Sequence, residues 1–169
     1  MFWSIALAGA SFDLITKSVI FQRIGQPGSG PVPLVGNVLE LRTSYNQGAL
    51  WGFGGSLPHS SLIFAGLSVL AAVVICYYLF VRGASKDLKL TAALGLIMAG
   101  ALGNCYDRLM IGRVRDFVHF HVDSIGFDFA IFNFADNMLV IGAFVLMLLA
   151  LRSDPPTLTH PEDQPVVSA

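Results

Sequence analysis

Between Gly100 and Asn137, an otherwise apolar chain gathers five aspartates, of which Asp107, Asp116 and Asp136 keep company with asparagines and arginines. The stretch contains Gly103-Asn104-Cys105-Tyr106-Asp107-Arg108, then Val114-Arg115-Asp116-Phe117, then Phe132-Asn133-Phe134-Ala135-Asp136-Asn137. Carboxylates in or beside a bilayer cost a few kcal/mol each on insertion scales, roughly 2.5–3.5, so their presence there suggests function. Two carboxylates that meet in a low-dielectric site cannot both ionise, and one keeps a proton. Such a pair acts on water as base and acid: the base activates the water for attack on a carbonyl, and the acid hydrogen-bonds to the developing oxyanion. Asp116 and Asp136 suit these roles, because one follows an apolar run and the other opens the next. The neighbouring helix ends can bring them together, but only a fold decides that they meet.

The elements that must position them are membrane spans. Of 169 residues, 54% are hydrophobic and 12% charged, and the mean hydropathy is +0.68. That is too apolar for an ordinary soluble domain. A net charge of −1 offers no basic patch for nucleic acid. Cys76 and Cys105 both lie in apolar runs, which argues against a disulfide framework. Four stretches, 2–21, 61–80, 88–109 and 134–151, are apolar over about the ~20 residues a spanning helix needs. The expected fold is an all-α integral membrane protein with four transmembrane helices, residues 1–152 forming a single embedded domain. The polar, Pro-rich stretch 153–169 reads as a disordered tail. Ala8-Gly9-Ala10 mimics a cleavage site, but no basic n-region precedes it, so the first span is expected to stay uncleaved. The short basic loop from Arg82 to Lys89 reads as cytoplasmic, which places both termini on that side.

Further polar residues punctuate these elements. Asp13 and Lys17 stand four apart on the helical face of Ala6 and Ala10, either as a structural ion pair or as support for a site. Lys17 can alternatively snorkel to the surface. Gly25 to Pro31 reads as a loop and Asn37 to Tyr45 as a strand, with Leu39, Leu41 and Thr43 on one side and Glu40 and Arg42 on the other. The passage from Tyr45 to Phe53 suits the membrane interface; within it Asn46 reads as a turn residue beside Gly48. Gly95, Ala99 and Gly103 make a small-residue stripe for close helix packing, and Asn104 follows it. Asp107 opposes the helix dipole at the end of the third span and needs a cation, with Arg108 and Lys17 as candidates. In Val114 to Asp123, Val118, Phe120 and Val122 alternate with His119, His121 and Asp123. The His-x-His pair reads as a solvated strand face, because no further His or Cys closes a ligand set. Asn133 followed by Asp136 also matches a helix-capping pattern, which leaves Asp116 without an explanation.

Taken together, Asp13-Leu-Ile-Thr-Lys17, Tyr45-Asn46-Gln-Gly48-Ala49, Gly100-Ala-Leu-Gly103-Asn104 with Asp107-Arg108, Val114-Arg-Asp116-Phe117 and Phe132-Asn133-Phe-Ala-Asp136 resemble, in order and spacing, the lipoprotein signal peptidase (type II signal peptidase) family. These pieces cover nearly the whole chain apart from its tail. The resemblance implies a bacterial inner-membrane aspartyl protease with Asp116 and Asp136 as catalytic dyad. It implies that Asp13, Lys17, Asn46, Gly48, Asn104, Asp107, Arg108 and Asn133 shape and support the site. It further implies a small extracytoplasmic β-structure between spans one and two, a site facing away from the cytoplasm, and no metal or other cofactor. The implied substrate is a prolipoprotein carrying diacylglycerol on its lipobox cysteine, cut just before that cysteine. A monomer working among membrane lipids is expected. Two residues depart from the pattern: Trp51, after Leu50, and Arg115, which would favour an ionised Asp116 if it pointed inward.

Rival readings remain distinguishable. A proton-coupled transporter would use Asp13, a metal-dependent hydrolase would use His119, His121 and Asp116, and a cysteine protease would need a base beside Cys105.

Overall fold

In the computed structural model, residues 1–36, 38–48 and 52–152 are described. The chain runs α1 (Phe2–Ile24), β1 (Val32–Val35), β2 (Leu39–Asn46), α2 (Ser60–Cys76, prolonged by a π-helical turn to Val81), α3 (Leu88–Ile111), β3 (Val114–Val122), β4 (Phe127–Asp128) and α4 (Phe134–Arg152). All four helices are long and apolar enough to cross a membrane. They lie within three residues of the spans expected from hydropathy. The proposed tail, Trp51 and the strand start at Asn37 fall outside the described residues.

α3 is the hub, packing against α1, α2 and α4. Its start is fixed by Asp87, whose carboxylate accepts from the Lys89 and Leu90 N–H groups at 2.9 and 3.0 Å and satisfies donors that a helix end leaves open. Gly112 ends it in the left-handed region at φ 71°, where a side chain would be strained. Along α1 the buried residues are Phe2, Ala6, Ala10, Asp13, Lys17 and Phe21, a single stripe at helical spacing. Asp13 and Lys17 therefore point into the bundle, and Lys17 does not snorkel; both are fully buried.

The small-residue stripe of α3 faces α1: a Cβ on Gly95 would touch Ile5, and Ala99 lies against Gly9. A second set of glycines governs α3 against α4. A Cβ on Gly100 would collide with the Ala135 carbonyl oxygen and stand 2.7 Å from Leu139 Cγ, and one on Gly142 would stand 2.8 Å from the Ala93 carbonyl oxygen. Gly100→Ala is accordingly expected to lower stability by about 1–3 kcal/mol, read as a lower thermal midpoint in detergent. An unchanged or raised midpoint would mean that α3 and α4 separate freely and that the helix-propensity gain of about 1 kcal/mol prevails.

The β-structure is larger than expected. Its four antiparallel strands stand in the order β1-β2-β3-β4, so half the sheet comes from the connection between α3 and α4 rather than from the one after α1. Strand β1 follows directly on the Gly25 to Pro31 loop and precedes the stretch read as strand. Short two-stranded ribbons are marginal alone, and β3 supplies β2 with a second partner beside β1. The β2–β3 register is Ser44↔Asp116, Tyr45↔Arg115 and Asn46↔Val114 at one end, and Leu39↔Phe120, Glu40↔His119 and Leu41↔Val118 at the other. Between Leu41 and Ser44 the register shifts by one extra residue on β2. This bulge breaks the expected strict alternation and reverses which face each β2 side chain joins. Beyond β4 the chain returns along β3, with Phe132 N–H donating to the Val118 carbonyl and Val118 N–H to that of Phe132 at 2.9 and 2.8 Å. That pairing delivers the start of α4 beside Asp116.

Candidate active site

The two aspartates converge on Asn133. Its side-chain amide donates to Asp116 Oδ1 at 2.6 Å and to Asn104 Oδ1 at 3.2 Å. Its backbone N–H donates to Asp136 Oδ2 at 3.0 Å, while its Oδ1 accepts from the Asp136 N–H at 3.0 Å. The capping pattern read from the sequence is therefore real, and it does not compete with a site role. The same reciprocal bonds that start α4 fix the Asp136 carboxylate. The other Asp136 oxygen accepts from Asn104 Nδ2 at 2.8 Å. Asn46 completes the ring: its amide bonds to Asp116, and its Oδ1 accepts from the Gly48 N–H at 2.8 Å. Asn46 is thus a turn residue and a partner of Asp116 at once.

Beneath this ring lies a charged support. Lys17 Nζ contacts Asp13 Oδ2 at 2.7 Å, Asn104 Oδ1 at 2.9 Å and Asp107 Oδ2 at 3.5 Å. The other oxygen of Asp13 accepts from the Ala135 N–H at 2.8 Å, so an aspartate from α1 also occupies the positive end of α4. Asp107 has a second cation that sequence reasoning missed. Arg115 donates to it from Nη2 at 2.7 Å, from Nε, and from the backbone N–H at 3.0 Å. Arg115 stands next to Asp116 in sequence, and strand alternation turns it away from Asp116 towards Asp107. Arg108 serves elsewhere: its Nη2 donates to the Gly48 carbonyl at 2.8 Å, and its guanidinium lies 5.4 Å from the Phe64 ring centre. Gly48 is needed for close approach, since a Cβ there would stand 2.5 Å from the Gly52 and Phe53 carbonyl oxygens.

Asp116 is 2% exposed. Burial, reinforced by the negative Asp136, outweighs the amides of Asn133 and Asn46 and raises its carboxyl to about 7. Two cavities meet at the pair. An apolar groove of about 330 Å³ between α2, α3 and α4 is lined by Phe64, Leu67, Ile97, Leu139 and Val140 and reaches Asp136 and Asn104. A more polar cleft of about 570 Å³ on the sheet side reaches Asp116 and is lined by Ser44, Gln47, Gly48 and Arg113. Asn46 and Ile131 border both. An extended chain can therefore pass the carboxylates with an apolar part in the groove and a polar part in the cleft.

The rival constellations are not assembled. His119 and His121 lie on the face of β3 opposite Asp116 and bond to Glu40, Asp128 and Asp123 instead. Cys105 Sγ faces the Ala65 carbonyl at 3.7 Å, with no base beside it among the described residues. Asp13 is held by Lys17 and α4, which leaves no free carboxylate for proton coupling there.

Known proteins resemble this chain over most of its length. Residues 5–152 match the family described as signal peptidase (SPase) II. The lipoprotein signal peptidase of Rhodopirellula baltica is 35% identical over 160 residues, covering 88% of this chain and 70% of that one. Its counterpart in Staphylococcus aureus strain JH9 is 33% identical over 150 residues, covering 89% and 86%. Among solved structures, one bacterial membrane enzyme superposes with a TM-score of 0.77 at 31% identity, covering 89% of this chain and 87% of that one. Another gives 0.76 at 29% identity, covering 90% and 94%.

Proposed function

Because the chain belongs to the signal peptidase II family, we propose that it is a membrane aspartyl endopeptidase whose Asp116 and Asp136 activate water to cut diacylglyceryl-modified prolipoproteins just before the lipidated cysteine. One observation carries the reading: carboxylates from β3 and α4 are fastened to a single residue, Asn133, where an apolar groove meets a polar cleft. The groove suits the apolar signal segment and lipid of a substrate that arrives by lateral diffusion in the membrane. The cleft suits the polar chain beyond the cysteine and admits water.

In this mechanism the pair carries one proton, and Asp116 holds it. Both Asp136 oxygens already accept N–H bonds, so the negative charge settles there. Asp136 takes a proton from the attacking water, while the Asp116 hydroxyl donates to the carbonyl oxygen that becomes the oxyanion. Collapse of the tetrahedral intermediate passes a proton to the leaving amine. Asn104, Asn133 and Asn46 keep the carboxylates oriented, with Lys17, Asp13 and Asp107 as the buried base of the network. The reaction uses no metal, no other cofactor and no covalent intermediate.

We place the sheet and the dyad on the extracytoplasmic side and both termini in the cytoplasm. Arg82, Lys86 and Lys89, in and around the α2–α3 connection, and Arg152 at the end of α4 support a cytoplasmic position for the opposite end. Partners are the prolipoprotein and membrane lipid, and a single copy carries the whole site.

The proton on Asp116 gives a pH test. With its carboxyl near 7, kcat/KM should hold below that value and fall about tenfold per pH unit above it, as the pair becomes doubly ionised. A profile flat to about pH 9 would remove Asp116 as the proton carrier. The decisive experiment is cleavage of a diacylglyceryl-modified prolipoprotein by Asp116→Asn and Asp136→Asn, and full activity in either variant would defeat the proposal.

A further inference from the structure

On the face of the sheet turned away from the dyad, Glu40, His119 and His121 point their ligand atoms at one another, all within 4.8 Å. His119 Nδ1 stands 2.8 Å from Glu40 Oε1, and His121 Nε2 stands 3.5 Å from Glu40 Oε2. The far nitrogen of each ring is held by a further carboxylate: His119 Nε2 by Asp128 at 2.7 Å and His121 Nδ1 by Asp123 at 3.0 Å. If both far nitrogens donate, both lone pairs face Glu40, and three acceptors converge on one point. Such a gathering is relieved either by a proton on a ring nitrogen or by a cation held between the three groups. Moreover, His121 Nε2 is cut off from solvent and makes no hydrogen bond among the described residues.

We infer that Glu40, His119 and His121 form a divalent metal site of zinc type, with Asp128 and Asp123 orienting the two imidazoles. Two histidines, one carboxylate and an open position for water match zinc's tetrahedral preference for nitrogen and oxygen ligands. Ligand atoms around such an ion stand about 3.3 Å apart, given bonds of about 2.0 Å, and the present spacings, 2.8 Å and 3.5 Å to Glu40 and none beyond 4.8 Å, bracket that value. A carboxylate on the far nitrogen of a ligating histidine fixes its tautomer and raises its basicity, and both histidines have one. Arg42 borders the same hollow and is outweighed by Glu40, Asp123 and Asp128. The bulge in β2 makes the site possible. Without its extra residue Glu40 would oppose Phe120 and face the other way; with it Glu40 pairs with His119. The ion would tie β2 to β3, the two strands that carry Asn46 and Asp116.

The test is a titration of the full chain, purified in detergent without a polyhistidine tag and stripped of metal, with Zn²⁺ alone. Calorimetry should give one ion per chain at micromolar affinity or tighter, and a raised thermal midpoint. Glu40→Gln and His121→Gln should each weaken binding at least 100-fold. Asp123→Ala and Asp128→Ala change side chains that are 77% exposed, so they leave the fold intact and should weaken binding roughly 10–100-fold. Asp116→Asn should bind zinc as wild type does, which keeps this readout separate from cleavage. Absence of saturable binding at one equivalent would overturn the inference and leave an imidazolium bridging two carboxylates. So would zinc binding that survives both Glu40→Gln and His121→Gln.

Discussion

Asp116→Asn and Asp136→Asn are each expected to reduce prolipoprotein cleavage by roughly 10³-fold or more, the scale of losing a general acid or base in a site that works as a unit. For the same reason the double variant should be little worse than either single one. At position 116 asparagine keeps the size of aspartate and can still accept from the Asn133 amide, so the network persists there while the transferable proton is lost. A stability measurement separates this from unfolding. The Asp116 carboxyl is raised to about 7 in the fold and sits near 3.9 in an unfolded chain. Between those values the folded protein holds a proton that the unfolded one has released. Stability therefore falls as pH rises from about 4 through about 7, by up to about 4 kcal/mol. Asp116→Asn never ionises and escapes that loss. At pH 8 it should be more thermostable than wild type while inactive. A variant that is inactive and less stable at pH 8 would point to structural failure and count against the dyad. Excess chelator should leave wild-type cleavage in place, whereas a metal-dependent hydrolase would stop.

Lys17→Met is expected to destabilise the protein by about 3–5 kcal/mol, the cost of leaving a buried charge without its partner. Lys17 is fully buried, as are Asp13 and Asp107. Removing its ammonium strands Asp13 chiefly, because Asp107 keeps the bidentate Arg115. Lys17→Met combined with Asp13→Asn should therefore recover part of the loss, and a double-mutant cycle on thermal midpoints in detergent measures how much. Cleavage should fall as well, since Lys17 donates to the Asn104 that holds Asp136. A single-variant loss under about 1 kcal/mol, or strict additivity with Asp13→Asn, would mean that the three charges do not form one network.

Much of this site is legible in the chain itself, for local reasons. Hydrophobic length sets the four spans, helical spacing puts Asp13 and Lys17 on the face of Ala6 and Ala10, and Asn133 with Asp136 spells a helix start that the backbone then makes. These are properties of neighbouring residues, so a linear reading reaches them. It also nominates Asp116 and Asp136 for the proposed chemistry, because aspartates and asparagines at span ends have few other uses in so apolar a chain. What the chain could not display is anything set by pairing distant segments. Beside Lys17, Asp107 is held by Arg115, reached because the strand after α3 turns back over that helix's end. The sheet unites two connections far apart in sequence, and a single extra residue on β2 decides that Asn46 meets Asp116 while Glu40 meets His119. A bulge leaves no mark in hydropathy, since it is the register between strands, and not the order of residues within one, that fixes which side chains share a face.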